Sequence, residues 1–506
     1  MIAEAEEVEH PVHGSGRLVG LRRNGRLALV HFETLPLPTL VPTRELRRPG
    51  ERAPHPSSSA NTSTDIDAPP GDDAPGPLPT TLQRYALEPT QADMALEAMR
   101  LGVVPAQGIE AFTVARDAAF ASLNAALVEA SGRGALRVIE GDYGAGKTHM
   151  LEWLGTRALS ENFIIARVTL DADETSPAHP QRVYRAMMHT LRYPDRPDEV
   201  GLGLAPLLER AIISDGAREI FAVGERGHGT HLYLSAALTW LDALNAPALT
   251  VEPDLNSWRR AVLDWLEGHR TQSNLGLNEE LSSAPGSHPW LYSLKDYRPW
   301  ARIYAFILSG LATLARECGY SGLMVMVDEA ERFALLSREN REHAAATLRA
   351  LSSAALGDAL TPHPSDATLE LGGVGRLREL PCRFEPASGL GVVMALTPSY
   401  DDDPLLQGLF PPEARIELAR PLPSDYAELA RRVSAFYAEA RNGLPLRPQQ
   451  IDAIAQTIER LSARGTLGSM RQVMKTLVEL LDVHRHFPER AAGVVDNLAR
   501  VSHFDI

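Results

Sequence analysis

An eight-residue bend restricts this chain to few architectures. Gly141-Asp142-Tyr143-Gly144-Ala145-Gly146-Lys147-Thr148 stands between the apolar run Ala135 to Glu140 and the amphipathic run Met150, Leu151, Leu154, Ala158. It fits G-x-x-x-x-G-K-[ST] in the strand-then-helix context that gives the pattern its meaning. Glycines let successive N–H groups converge on phosphate oxygens, and the helix that follows adds the positive end of its dipole. Lys147 is then the residue that reaches the β and γ phosphates, and the Thr148 hydroxyl is a ligand for Mg2+. Basic residues here are almost all arginine, and Lys147 is one of three lysines, with Lys295 and Lys475, so a lysine at this point by chance is rare. The bend is read as a cradle for a nucleoside triphosphate, with ATP and Mg2+ as the expected cofactors.

Such a cradle needs a sheet behind it. Ala135 to Glu140, Phe163 to Leu170, Leu323 to Val327 and Gly391 to Leu396 are short apolar or β-branched runs separated by helical patterns. Strands buried on both faces have this composition, which implies an α/β fold of the P-loop NTPase type, a parallel sheet between helices. The third run ends in Asp328-Glu329. Asp328 is the expected metal carboxylate and Glu329 the group that orients or deprotonates the attacking water, a pairing that favours hydrolysis over binding alone. The alternative is an acidic cap for a helix over Glu331 to Leu351. Thr397, just past the fourth run, is a candidate for contact with the γ phosphate or the water, against a plain turn cap before Pro398. Asp401-Asp402-Asp403 reads as a solvated face, and His149, isolated histidines and the cysteines Cys318 and Cys382 as structural. The stretch Trp290, Tyr292, Tyr297, Trp300, Tyr304 reads as packing more readily than as base stacking.

Around this core the chain falls into parts. Residues 1–50 form a small β module, with strand-like runs Val12 to Leu21 and Arg26 to Phe32 joined at Asn24-Gly25, and Leu35 to Val41 an edge strand or loop because of Pro36 and Pro38. Residues 51–82, rich in Pro, Ser, Asp and Gly, read as a disordered linker. The ATPase core spans 83–420 with a helical insertion at about 175–300, and 421–506 is a helical lid. A net charge of −15 disfavours a protein that coats nucleic acid with its whole surface. Seven arginines against Glu33 and Glu45 in residues 10–50 leave a local basic patch through which DNA contact is open, as is an acidic protein partner. No apolar run approaches a membrane span and the start is acidic, so a cytoplasmic protein without membrane contact is expected.

The runs LEAMRLGVVPAQGIEAFTVARDAAFASL, VIEGDYGAGKTHMLEWL, MVMVDEAERF and VVMALTPSYDD resemble the ATP-binding proteins of BREX-type bacterial phage-defence systems, P-loop ATPases related to the AAA+ and origin-recognition class. The resemblance covers about residues 84–490 and is weak at 175–300. It implies ATP hydrolysis coupled to action on DNA or on a companion helicase or methylase, against a slow-turnover nucleotide-dependent scaffold or switch, with an ATP-dependent homo-oligomer open. Where the family commonly carries Gly-Arg-Glu this chain has Ala115-Arg116-Asp117, and Leu467 to Val473 takes the place of a Pro-Arg pattern, which makes Arg471 the lid's γ-phosphate sensor. An arginine finger is Arg415 or Arg420, against a salt-bridge role for each. HPVHGSGRLVGLRRNGRLALVHFE is similar to the small Tudor or SH3-like barrels of DNA-repair helicases and polymerase-binding regulators, which implies an N-terminal β-barrel.

Overall fold

The computed structural model describes residues 7–10, 14–22, 27–32, 39–42 and 91–500, the last span without 106–107, 115, 222–230, 247–248, 250–252, 270–272, 287, 358–383, 385–386, 399–402 and 442–445. Asn24-Gly25, the 51–82 segment, Cys382, Asp401 and Asp402 lie outside the described residues. The chain divides into two compact units, Met1–Arg84 and Tyr85–Ile506.

In the first unit β1 (Glu7–His10), β2 (Gly14–Arg22), β3 (Leu27–Phe32) and β4 (Thr39–Pro42) form an antiparallel meander in that order. Two of these strands match the expected runs to within two residues. The register slips between Leu18 and Gly20, the mark of a bulge that bends a strand. Strand β4 lies at the edge, where Pro42 costs no central ladder bond; Pro36 and Pro38 lie outside the described residues.

The second unit is built on five parallel strands, β5 (Gly134–Glu140), β6 (Phe163–Thr169), β7 (Gly322–Asp328), β8 (Leu390–Leu396) and β9 (Arg415–Glu417), in the order β6-β7-β8-β5-β9. Strand β9, three residues long, has too little apolar sequence to be read as a run. Successive side chains enter opposite faces, so each strand feeds two cores. Leu136, Val138, Ile164, Val168, Val325 and Val392 join one; Ala135, Ile139, Phe163, Ile165, Met324 and Val393 join the other.

The first core is closed by helices mostly between β6 and β7: α4 (Pro180–His189), α5 (Ala205–Ile213), α6 (Asp215–Ile220), α7 (Leu234–Leu244), α8 (Leu255–Leu266), α9 (Asn274–Glu280) and α10 (Ala301–Glu317), with α11 (Arg338–Leu356) after β7. The second is closed by α1 (Gln91–Leu101), α2 (Asp117–Gly132), α3 (Lys147–Ser160) and the C-terminal α12 (Pro423–Ala440), α13 (Pro448–Ala463), α14 (Met470–His486) and α15 (Pro488–Arg500). The helix expected over 331–351 begins later. A 3-10 turn, Ala330–Leu335, follows β7, and α11 starts where Ser337 accepts a hydrogen bond from the Asn340 N–H. A serine hydroxyl in extended backbone covers a free helix donor, which the acidic Glu331 does not do here.

Candidate functional site

The site is assembled at the C-terminal ends of the strands. After β5 the chain turns at Gly141, whose N–H donates to the Leu396 carbonyl of β8 at 3.2 Å. Gly144 (φ 81) and Gly146 (φ 98) hold the left-handed backbone that lets the bend close. Helix α3 starts at Lys147 with no side-chain cap on its first N–H groups, leaving them for an anion. Lys147 is nearly buried and folds back over the bend, its Nζ donating to the carbonyls of Gly141 (2.8 Å) and Asp142 (3.4 Å).

Strand β7 delivers the acids. Asp328 is buried; one carboxylate oxygen accepts from the Glu329 N–H at 3.0 Å and the other from Arg167 of β6 at 3.2 Å. Arg167 is in turn paired with Glu152 of α3. Glu329 is one of two described non-glycine residues with positive φ (58°), and its carboxylate accepts from Arg332 Nε at 2.9 Å. Such backbone strain persists where surrounding structure enforces it, often at functional sites. Glu331 lies 3.6 Å from Lys147 Nζ, its Oε2 buried with no hydrogen-bond partner, and burial pushes its carboxyl up from the ordinary value. Sequence reasoning passed over Glu331 and Arg167. The only signal for Glu331 was its nearness in sequence to the acidic end of β7, since Asp328 closes the strand and Glu331 lies in the 3-10 turn that follows.

A cavity of about 1100 Å3, counting its open mouth, lies over the bend. Its walls come from Gly102 to Pro105, Phe112 to Val114, Arg116, Tyr143, Gly144, Gly146 to His149, Asp328, Glu329, Glu331 and, from the C-terminal helices, Leu429, Ser469, Met470, Arg471 and Met474. The C-terminal helices come close to the bend: a Cβ on Gly144 would lie 3.0 Å from the Ser469 Cβ. Arg471 passes over Gly102, where a Cβ would lie 2.7 Å from its Cγ. Helix α1 is tied to the C-terminal helices by Arg100 with Asp482 (2.6 Å) and by Arg441 with Asp93. Arg116 donates to the carbonyls of Ala145 and of Ala419 (2.9 Å), bracing the bend from behind. His149, read from the sequence as structural, bonds Thr113 at 2.6 Å. Desolvation, with Arg116 nearby, lowers its pKa to about 4, so the ring is neutral at pH 7.

Lys147, Thr148, Asp328, Glu329 and Arg471 thus face one space, with Tyr143, Gly144 and Gly146. Gly141, Asp142 and Ala145 belong to the bend without lining the cavity; Asp142 is engaged by Arg420 at 2.8 Å. Thr397 follows β8, between β5 and β7, and is not part of the wall. Arg415 lies 3.6 Å from Glu140, so both arginine-finger candidates contact acids of their own chain. Asp403 pairs with Arg341 at 3.0 Å. Cys318 is a free thiol pushed up to about 11 by burial. Tyr304 is buried and donates to the Lys295 carbonyl, whereas Trp290 and Tyr297 are exposed. Among the described residues no cluster of His, Cys, Asp or Glu could hold a metal by itself, and no helix is long and apolar enough to cross a membrane.

A family model described as BREX system ATP-binding protein BrxC/D matches residues 87–224 and 301–363, which include the bend, Asp328, Glu329 and Glu331. No curated protein matches the chain.

Proposed function

The chain belongs to the BREX system ATP-binding protein BrxC/D family, which implies a role in phage defence, and from that premise we propose that it binds and hydrolyses ATP in the cavity above the bend. One observation carries the reading: Lys147 and Thr148, the Asp328-Glu329 pair and Arg471 of the lid all line a single cavity. The uncapped start of α3 and the glycine N–H groups take the phosphates, and Lys147 directs its remaining N–H toward the β and γ oxygens. Thr148 and Asp328 offer hard oxygen ligands of the type Mg2+ prefers, with Asp328 already oriented by Arg167. When bound, the ion would neutralise charge on the terminal phosphates. Glu329 receives a proton from the attacking water. Arg471 senses the terminal phosphate from the lid, and the ion pairs joining α1 to α12 and α14 pass lid closure to the rest of the unit. The mechanical output is directed at DNA or at a companion helicase or methylase, with ATP-dependent self-association as one route.

Binding and turnover in wild type, Lys147→Ala and Glu329→Gln test this. Lys147→Ala is expected to lose nucleotide affinity at least tenfold. Glu329→Gln is expected to bind ATP normally and lose turnover by 100-fold or more, on the order of general-base losses. Equal turnover in all three removes the assignment. The contact of Arg332 with Glu329 favours a second reading, a nucleotide-dependent switch with slow turnover, because the proposed base is engaged before any water arrives. Full ATP-dependent assembly with negligible hydrolysis, unchanged by DNA, selects that reading.

A further inference from the structure

We propose that Glu331 is a placeholder for the terminal phosphate: it occupies Lys147 in the nucleotide-free protein, is displaced by ATP, and retakes the lysine when phosphate leaves. The proposal rests on the reading that the cavity binds ATP, and it concerns what sets the affinity there. The acids at the end of β7 differ in their cations. Asp328 has Arg167 and Glu329 has Arg332, neither of which the phosphates need. Glu331 has Lys147, at 3.6 Å, the one cation the bend supplies for the β and γ phosphates. Two of the lysine's N–H bonds already go to loop carbonyls, so its remaining direction is shared between Glu331 and an incoming phosphate.

The other end of the carboxylate marks this as a temporary arrangement. Glu331 Oε2 is buried with no hydrogen-bond partner, a costly state for a structural acid and an acceptable one for a group that changes partner. Once ATP arrives, Glu331 faces a phosphate of like charge beside Asp328 and Glu329, which opposes binding. A diphosphate brings no terminal phosphate into that field and feels less of it. Removing the charge from Glu331 therefore favours ATP over ADP. It also slows the reset, because nothing competes for Lys147 as phosphate departs.

The test is a set of titrations of the full chain with fluorescent ATP and ADP analogues and Mg2+ at pH 7, in wild type, Glu331→Gln, Lys147→Met and the double variant. Glu331→Gln keeps the shape and removes the charge. It is expected to bind the ATP analogue about tenfold more tightly and the ADP analogue at most about threefold, as suits a part-buried ion pair. In the Lys147→Met background the same change is expected to tighten ATP by less than half as much on the logarithmic scale, since the competition has lost its object. Unchanged or weaker ATP binding in Glu331→Gln overturns the proposal, as does equal tightening of ATP and ADP or an undiminished effect without Lys147. If wild type binds neither nucleotide, the functional reading fails first, and the two failures are separate.

Discussion

The two faces of the sheet carry the same kind of core but treat polar groups differently. On the insertion side, where the buried Trp300 Nε1 is left without a hydrogen-bond partner, four other large polar-tipped side chains are finished: Trp265 Nε1 donates to the Tyr292 carbonyl, Trp240 Nε1 to Pro289, Tyr184 to Leu266 and Tyr193 to Gly203, all at 2.7–2.9 Å. Each tip meets a fixed backbone acceptor, so the aromatic body packs at no polar cost. Around the bend several polar groups are less settled. Lys147 leans on loop carbonyls, Glu331 has an oxygen without a partner, and Glu329 sits in strained backbone. Under the proposal above, the groups around the bend are the ones that exchange partners, while the insertion core persists.

The sharpest way to break that contrast is to damage the persistent side. Trp265 is fully buried in the insertion core. Trp265→Ala removes its contacts and leaves the Tyr292 carbonyl short of a donor, a loss of about 3–5 kcal/mol in unfolding free energy. Denaturant titration reads the loss, and nucleotide binding by the folded fraction is expected to stay within about twofold of wild type. Affinity that falls in step with stability would mean that the insertion core also shapes the cavity.

Acid challenges both sides at once. His149 on the nucleotide side and His231, stacked on Phe306 in the insertion core, are both lowered to about 4, chiefly by desolvation. A neutral histidine of this kind leaves the unfolded chain the better proton acceptor below the ordinary value near 6.5. Stability is therefore intact above about pH 6.5 and falls as the pH drops toward about 4, by roughly 1.4 kcal/mol per unit for each ring and about 3 kcal/mol each at the limit. Comparing the pH dependence of unfolding in wild type and His149→Gln isolates one ring: the variant is expected to have a shallower slope between pH 6.5 and 4.5. Parallel slopes would show that His149 is already protonated or solvated in the folded protein.

What was readable beforehand follows the same division. The four long strands were legible because both-face burial makes each a continuous apolar run, and the bend was legible because its glycines and lysine are adjacent in sequence. The contact of Arg167 with Asp328 was not, because it depends on β6 lying beside β7 in the register that pairs Thr169 with Asp328. The opening of α11 at Ser337 was not read, because the acidic run before it looked like the helix start. His149 sat one residue past the bend and was read as structural. Its use as a cavity wall depends on Phe112 and Thr113, which reach it only through the fold.

The smallest expected effect tests the lid half of the exchanging face. Arg471 stands in the first turn of α14, whose start is capped by Ser469, and its stem runs across Gly102, where the absence of a side chain makes room for it. A side chain so held lines the same cavity as Lys147 and acts by charge on whichever phosphate is nearest. If that is the terminal one, Arg471→Ala weakens ATP binding about tenfold, equal to about 1.4 kcal/mol, while ADP binding changes little, the reverse of the shift expected from Glu331→Gln. Gly102→Ala, which crowds the same stem at a positive φ of 72°, is expected to give part of that loss with Arg471 still present. Equal weakening of ATP and ADP would move the contact of Arg471 from the terminal phosphate to the part of the nucleotide that both share.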